Sequence, residues 1–200
     1  MKNYEKVELS KKIMNGKNYY ILNNEKYYTG KIEIRFNNSD KVKVTGQIEK
    51  GLKSGEWRYF YENGNVEKIE TYKFGELTGN YKGFYESGEL MEVGEMRYDK
   101  MEGTWKSYYK NGNLDVETSY VLNKQNGIWK KFYESGELKC ECPTRNNMFY
   151  GNYKKYSKSG ILLYKCFLRD SEKNGEEVYF DEAGREIMKT RYVNGREIKS

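Results

Sequence analysis

Histidine is absent from this chain of 200 residues, which removes the commonest catalytic base and metal ligand. Without it there is no Ser-His-Asp or Cys-His machinery, and no imidazole can hold a metal ion. The three cysteines, Cys140, Cys142 and Cys166, form the one cluster that suggests metal chemistry. A zinc site needs a fourth ligand, so we predict small buried thiols in a reducing compartment, with no metal and no cofactor.

Three glutamates, Glu62, Glu86 and Glu134, recur at equivalent places after pairs of aromatic residues. Glycoside hydrolases also use carboxylates, but they set two of them about 5–10 Å apart across a cleft. One glutamate in each repeat unit does not make that pair, and a charged residue at a turn is ordinarily solvated. We therefore predict that the protein is not an enzyme.

A ladder of aromatic residues at a spacing of 24 is the strongest candidate for a binding surface. Its members are Trp57, Tyr81, Trp105, Trp129 and Tyr153. Stacked rings in a basic groove can hold single-stranded nucleic acid. However, residues 55–102 carry 6 Lys/Arg against 11 Asp/Glu, whereas binding to phosphates needs a continuous cationic track. We interpret the ladder as core and predict that nucleic acid is not a partner.

The composition indicates a sheet protein. Tyrosine occurs 21 times and glycine 20 times, aromatic residues make up 16% of the chain, and alanine occurs only at Ala183. Aromatic residues favour strands, glycines favour turns, and the lack of alanine disfavours helices. The length fits one compact domain or one array of repeats.

The N-terminal segment is cationic, with Lys2, Lys6, Lys11, Lys12 and Lys17, but it has no apolar stretch. It does not resemble a secretory signal, and no segment reaches the ~18 apolar residues of a membrane-spanning helix. We therefore expect a cytoplasmic protein. Attraction of these lysines to anionic phospholipid remains an alternative to a solvated terminus.

Two series of glycines establish an internal repeat of 24 residues. The first series is Gly55, Gly79, Gly103, Gly127, Gly151 and Gly175, and the second is Gly64, Gly88, Gly112, Gly136, Gly160 and Gly184. A helix would have to absorb two glycines in each unit, at about 1 kcal/mol each. The period therefore predicts one β-hairpin in each unit.

We predict the turns of each hairpin from its glycines. In the first full unit, residues 56–61 and 66–72 are the expected strands, and Asn63-Gly64 is the expected two-residue turn. This register places Tyr61 opposite Val66 and Trp57 opposite Glu70. The glycines of the first series would mark the return turns, as in Asn126-Gly127 and Asn174-Gly175.

The predicted fold class is all-β, an elongated, twisted antiparallel sheet of tandem hairpins with about 12–15 strands. Residues 1–54 would form degenerate repeats or a cap, and in them a hairpin is expected around residues 37–40. Residues 55–200 would form six repeats in one continuous domain. Such a long sheet is expected to curl, because open twisted sheets seldom exceed about ten strands.

The segments GEWRYFYENGNV, GTWKSYYKNGNL and GIWKKFYESGEL resemble the MORN repeat in its bacterial variant form. Chains built of this variant are similar to the YwqK family, which is described as antitoxin or immunity components. The resemblance implies a non-catalytic protein that sequesters a cognate toxin. Related repeats precede plant phosphatidylinositol-phosphate kinase domains, but no kinase motif is present in this sequence.

These observations predict a protein that mediates protein–protein interaction, with a peripheral phospholipid-binding or membrane-tethering module as the alternative. Variable positions between the fixed aromatic residues would set the specificity for the partner. The candidate contact residues are Tyr59, Lys68, Glu70, Glu92, Lys131, Arg145 and Met148.

Overall fold

The computed structural model describes residues 9–22 and 26–198, and these residues form strands and turns without a helix. The predicted all-β class is therefore confirmed. The strands outnumber the 12–15 expected, because residues 9–49 supply five strands and two later strands are split. The strands are β1 (Leu9–Met14), β2 (Lys17–Leu22), β3 (Lys26–Tyr27), β4 (Gly30–Arg35), β5 (Val42–Glu49), β6 (Leu52–Phe60), β7 (Val66–Lys73), β8 (Glu76–Phe84), β9 (Leu90–Arg97), β10 (Lys100–Tyr108), β11 (Leu114–Val121), β12 (Lys124–Gln125), β13 (Gly127–Phe132), β14 (Leu138–Arg145), β15 (Met148–Phe149), β16 (Gly151–Tyr156), β17 (Leu162–Arg169), β18 (Glu172–Phe180), β19 (Glu186–Val193) and β20 (Arg196–Ile198).

The chain divides into two compact units, and in each of them successive strands pair antiparallel. The first unit comprises Met1–Gly88 with Met96–Asp99, and the second comprises Glu89–Glu95 with Lys100–Ser200. In the first, β1 to β3 form a small sheet and β4 to β8 pair in chain order. In the second, β10 to β20 follow the same pattern. The predicted boundary between residues 54 and 55 falls inside β6.

The turn at the tip of each hairpin differs from the predicted two-residue loop. The Gly64 N–H donates to the Tyr61 carbonyl at 3.0 Å, and the Tyr61 N–H donates to the Asn65 carbonyl at 2.8 Å. Of the turn residues, only Gly64 has a positive φ, so this is a three-residue loop with a glycine bulge. The predicted pairing of Trp57 with Glu70 is confirmed, but Val66 lies opposite Phe60 rather than Tyr61.

The predicted return turns at Asn126-Gly127 and Asn174-Gly175 are wrong. Each return turn lies four or five residues earlier, as at Phe74-Gly75, where both residues have positive φ and Lys73 pairs with Glu76. This is the mirror-image turn whose twist suits a two-residue hairpin. The equivalent pairs are Tyr98-Asp99, Leu122-Asn123, Asn146-Asn147, Asp170-Ser171 and Asn194-Gly195. A non-glycine residue in this conformation is strained by roughly 1–2 kcal/mol, which is why the pattern did not reveal it.

The first glycine series instead lies within or at the start of strands, at places where the pairing is interrupted. In β8, Gly79 has a φ of 109°, and the register between β7 and β8 shifts between Glu70 and Tyr72. Gly127 and Gly151 begin β13 and β16 in the same way. Glycine at such a bulge supplies a backbone conformation that residues with a Cβ rarely adopt.

Successive hairpins are joined by hydrogen bonds that repeat with the sequence. The Tyr61 hydroxyl donates to the carbonyl of Phe84 in the next hairpin at 2.8 Å, and Tyr109 and Tyr133 repeat this bond at the same distance. The side-chain amides of Asn63 and Asn65 both donate to the Glu86 carbonyl. The tyrosine and asparagine positions therefore hold one hairpin tip against the next.

The best-buried cluster of the first unit includes the strands before residue 54. Tyr20, Val44, Ile48 and Trp57 form it, with Tyr20 and Trp57 at a ring-centroid distance of 6.4 Å. The small β1–β3 sheet thus contributes an aromatic side chain to the core of the first unit. The hairpin expected around residues 37–40 is present as β4 and β5, closed by a hydrogen bond from Phe36 N–H to the Lys41 carbonyl.

Candidate interaction surface

The aromatic ladder lies in a row of residues that pair directly across the strands. In the first unit Trp57 pairs with Glu70, which pairs with Tyr81. In the second unit Tyr153 pairs with Cys166, which pairs with Glu177. We call these positions the core row. Trp57 is buried with 1% of its surface exposed and Trp105 with 8%, whereas Tyr81, Trp129 and Tyr153 are half-buried.

Two of the tryptophans lie flat against a glycine of the preceding strand. A Cβ built on Gly46 would lie 2.3 Å from the Trp57 ring, and one built on Gly94 would lie 2.2 Å from the Trp105 ring. The indole N–H groups donate to the carbonyls of Gln47 and Glu95, each at 3.2 Å. These glycines were not singled out from the sequence, although each stands eleven residues before its tryptophan.

A second row runs beside the core row, two residues further along each strand, and therefore on the same face. In the first unit it consists of Val44, Tyr59, Lys68 and Gly83, which pair in that order. In the second unit it consists of Ser107, Val116, Lys131, Cys140, Lys155, Tyr164, Tyr179 and Met188, again paired in order. We call this the variable row, because its residue type changes from repeat to repeat, whereas four successive repeats keep a tyrosine at the tip, at Tyr61, Tyr85, Tyr109 and Tyr133.

Three of the predicted contact residues form one polar cluster in the first unit. The Lys68 ammonium lies 2.7 Å from the Glu70 carboxylate, which also accepts a hydrogen bond from the Tyr72 hydroxyl at 2.8 Å. Burial alone would raise the pKa of Glu70, but the hydrogen bonds from Lys68 and Tyr72 outweigh it and hold the pKa below its usual range. Glu70 is buried with 5% exposed, so it supports the cluster and is not presented as an open strand position.

The other predicted contact residues lie apart from this cluster. Lys131 belongs to the variable row and forms an ion pair with Asp115 at 2.8 Å. Glu92 is half-buried in β9. Arg145 and Met148 are exposed on either side of the Asn146-Asn147 turn, and 45% of Met148 is exposed. Within the second unit, Lys131 therefore lies on the variable row, whereas Arg145 and Met148 lie at a return turn.

Lys53 lies in the same cluster, among aromatic rings. Its ammonium is 4.2 Å from the ring centroid of Trp57 and 4.4 Å from that of Tyr72, and it donates a hydrogen bond to Tyr59 at 2.7 Å. Burial lowers the pKa of Lys53 from 10.5 to about 8, and the nearby Glu70 carboxylate only partly opposes this. This lysine could not be identified from the sequence, because its partners come from both β6 and β7.

This pKa predicts how stability depends on pH. Between about pH 8 and pH 10.5 the unfolded chain keeps a proton on Lys53 that the folded protein has lost, so the free energy of unfolding rises with pH in that window. We expect the unfolding free energy of the wild type to rise relative to that of Lys53→Met over this range. Denaturant titrations at several pH values measure it.

The control is Lys173→Met, at the equivalent position five repeats later. The hydrogen bond to Glu177 raises the pKa of Lys173, so its contribution to stability is fully present below about pH 10.5 and is lost above it. Between pH 8 and 10 the difference between the wild type and this variant should stay constant. An equally flat Lys53→Met difference would contradict the lowered pKa.

Glu177 occupies the core row where other repeats carry an aromatic residue. It is 3% exposed, it pairs with Lys173, and it accepts a hydrogen bond from the Tyr164 hydroxyl at 2.6 Å. Burial alone would raise the pKa of Glu177, but the bonds from Lys173 and Tyr164 hold it below its usual range. Each unit therefore holds a buried carboxylate neutralised by lysine and tyrosine.

The three cysteines and three glutamates considered for metal or catalytic chemistry lie in two different environments. Cys140, Cys142 and Cys166 are buried free thiols, and burial raises the pKa of Cys142 to about 12. Within residues 9–22 and 26–198, no group of three or more Cys, Asp or Glu side chains is arranged to hold a metal ion. Glu62, Glu86 and Glu134 are exposed at hairpin tips.

The return turns of the first unit carry exposed aromatic side chains. Phe74 is 65% exposed and Tyr98 is 62% exposed, both with positive φ. The two turns are adjacent, because the Asp99 N–H donates at 2.9 Å to the carbonyl of Leu77, two residues after Gly75. Their exposed rings at neighbouring turns form an apolar patch, so these positions are a second candidate surface.

An all-β chain in which a hairpin recurs every 24 residues, with three of the hairpins bonded to the next by a tip tyrosine, defines a tandem-hairpin repeat protein. Residues 53–74, 77–97, 101–121 and 125–146 each match the family described as MORN repeat variant. Each match ends at or just before an observed return turn, so the matched unit is the hairpin between two such turns. The chain therefore contains four repeats of the MORN type within residues 53–146.

Comparison with curated proteins found no match to this chain. In the described part of the chain, no helix has the length and apolar character needed to cross a membrane.

Proposed function

We propose that this protein is a non-catalytic repeat protein that binds another protein through the variable row. The observation that carries the proposal is that the hairpins combine recurring tip positions with positions whose residue type changes. The tip tyrosines make the same bond in each of three hairpins, at 2.8 Å, while the row beside the core changes from Tyr59 to Lys131 to Tyr179. A constant scaffold with a varying face is how repeat proteins obtain specificity.

An antitoxin or immunity component is the specific form of this function that we propose. The motif segments resemble chains with that description, and a protein that sequesters a toxin needs a contact surface but no catalytic group. An interface of standard size buries about 800 Å² on each partner. A row of eight directly paired residues in the second unit offers a surface of suitable extent, with charged and aromatic side chains in it.

The test is affinity capture from the native host with two matched variants. One variant replaces Lys131, Lys155 and Tyr179 of the variable row by serine, and the control replaces Lys106, Lys130 and Lys154 on the opposite face. We expect one protein to be retained by the wild type and the control and lost by the row variant, and purified partner to bind with the same ranking. Equal retention by all three would exclude the row as the binding surface.

A second candidate function is binding to an anionic lipid surface by the return turns of the first unit. Phe74 and Tyr98 are flanked by the exposed cations Lys50, Lys73 and Arg97. Aromatic rings suit the membrane interface, and each cation near an anionic surface adds about 1 kcal/mol. Co-sedimentation with phosphatidylserine vesicles should then fall in Phe74→Asn/Tyr98→Asn and with added salt, without loss of stability. Binding that is unchanged in this variant would rule out the turns.

A further inference from the structure

A hollow of about 330 Å³ opens on the variable row of the second unit. Tyr153, Lys155, Leu163, Tyr164 and Tyr179 line it. Its tyrosine rings are packed edge to face, with centroids 5.9 Å apart for Tyr153 and Tyr164 and 4.8 Å apart for Tyr164 and Tyr179. The volume is in the range of sites that hold small ligands or single side chains.

The polar groups around the hollow differ in whether they are already engaged. The Tyr164 hydroxyl donates to Glu177 at 2.6 Å and the Tyr179 hydroxyl donates to it at 3.4 Å, so both phenols are directed toward that carboxylate. Glu177 is in turn neutralised by Lys173. In the described part of the chain, Lys155 is exposed and has neither an ion pair nor a hydrogen bond from its side chain.

The charge around the hollow is therefore positive. Glu177 and Lys173 cancel, and Lys155 is left as the unpaired charge. Its cross-strand neighbours are a cysteine and a tyrosine, Cys140 and Tyr164, rather than acidic residues. A second cation, Lys131, lies two strands away on the same row, at about 10 Å by strand spacing, and is paired with Asp115.

We propose that this hollow is the anchor point for an acidic segment of a partner protein, with one carboxylate side chain bound at Lys155 against the tyrosine rings. The inference rests on the proposed protein-binding function and names its chemistry. A glutamate fits because its methylene groups pack on the rings while its carboxylate meets the ammonium group. In an extended segment alternate residues share a face, so a second carboxylate two residues along lies about 7 Å away on the same side and is directed toward Lys131.

The probe is an N-acetylated octapeptide with glutamates at its third and fifth positions, which share one face of an extended chain, and valines elsewhere. It is titrated into the full-length protein and followed by NMR. We expect salt-sensitive binding whose dissociation constant rises about fivefold or more in Lys155→Gln and recovers in Lys155→Arg. The same peptide with glutamines in place of the glutamates should bind much more weakly.

The matched control is Lys154→Gln, on the neighbouring residue, which faces the other way and pairs with Glu141 at 3.7 Å. It should leave the peptide affinity within about twofold, as expected for an exposed pair. Equal weakening in both lysine variants, or failure of the peptide to bind the wild type, would overturn the acidic-anchor proposal. A captured partner that depends on the variable row but not on Lys155 would leave the protein-binding function standing and remove only this anchor.

Discussion

Replacing Gly94 by alanine should lower the free energy of unfolding by about 2–4 kcal/mol. The new Cβ would lie 2.2 Å from the fused bond of the Trp105 indole. The ring is held there by its hydrogen bond to the Glu95 carbonyl, so it must either move and lose that bond or push the strand away. Urea denaturation followed by tryptophan fluorescence measures the loss.

A compensating change separates steric overlap from backbone effects. Trp105→Leu removes the ring that the new methyl group meets, so Gly94→Ala should cost much less in the Trp105→Leu background than in the wild type. Gly160→Ala is the control for backbone strain: its Cβ would meet nothing within 4 Å, but its φ is 83°. It should cost about 1–2 kcal/mol from strain alone. A Gly94→Ala variant as stable as the wild type would contradict the described contact.

Replacing Lys173 by methionine should destabilise the protein by about 3 kcal/mol near neutral pH. The substitution leaves the Glu177 carboxylate, 3% exposed, with tyrosine hydroxyls but no cation. In the wild type the pKa of Glu177 is lowered, so its contribution is present above the unfolded pKa and is lost as pH falls through the folded one. The deficit of the variant should therefore shrink in acid, which denaturant titrations at several pH values would detect.

The double variant Lys173→Phe/Glu177→Tyr tests whether the unpaired Glu177 carboxylate causes this loss of stability. These are the residues that the preceding repeat carries at the equivalent positions, Phe149 and Tyr153. Replacing a buried ion pair by packed apolar groups is often neutral or stabilising, so the double variant should be close to the wild type in stability. If it were as unstable as Lys173→Met alone, the loss in the single variant would not come from the unpaired carboxylate.

The fold class could be predicted from the sequence because the same pattern of glycines and aromatic residues recurs in six units. Two glycine series, an aromatic ladder and a single proline leave little alternative to tandem hairpins. The positions of the turns could not be predicted in the same way. Phe74 and Tyr98 adopt a backbone conformation that sequence rules reserve for glycine and asparagine, while Gly79 and Gly127 serve bulges instead.

The site was harder to predict for a physical reason. Strand alternation identifies which residues share a face, and Tyr59, Lys68 and Lys131, which the sequence suggests as contact residues, lie on the variable row. It does not reveal which of them already have partners. Glu70 and Glu177 are ordinary glutamates in the sequence, and only the packing of lysine and tyrosine around them turns them into buried structural groups.

Main-chain hydrogen bonds between consecutive return turns also bear on how such a chain changes during evolution. In the second unit Asn123 donates to Met101, Asn147 to Gln125 and Ser171 to Phe149, always across the same 22 residues. A duplication or loss of one whole 24-residue segment re-creates these bonds at the new junction, whereas gain or loss of a few residues does not. Unequal recombination can therefore lengthen or shorten the gene by one repeat at a time, and each new pair of neighbouring return turns keeps the same hydrogen bond.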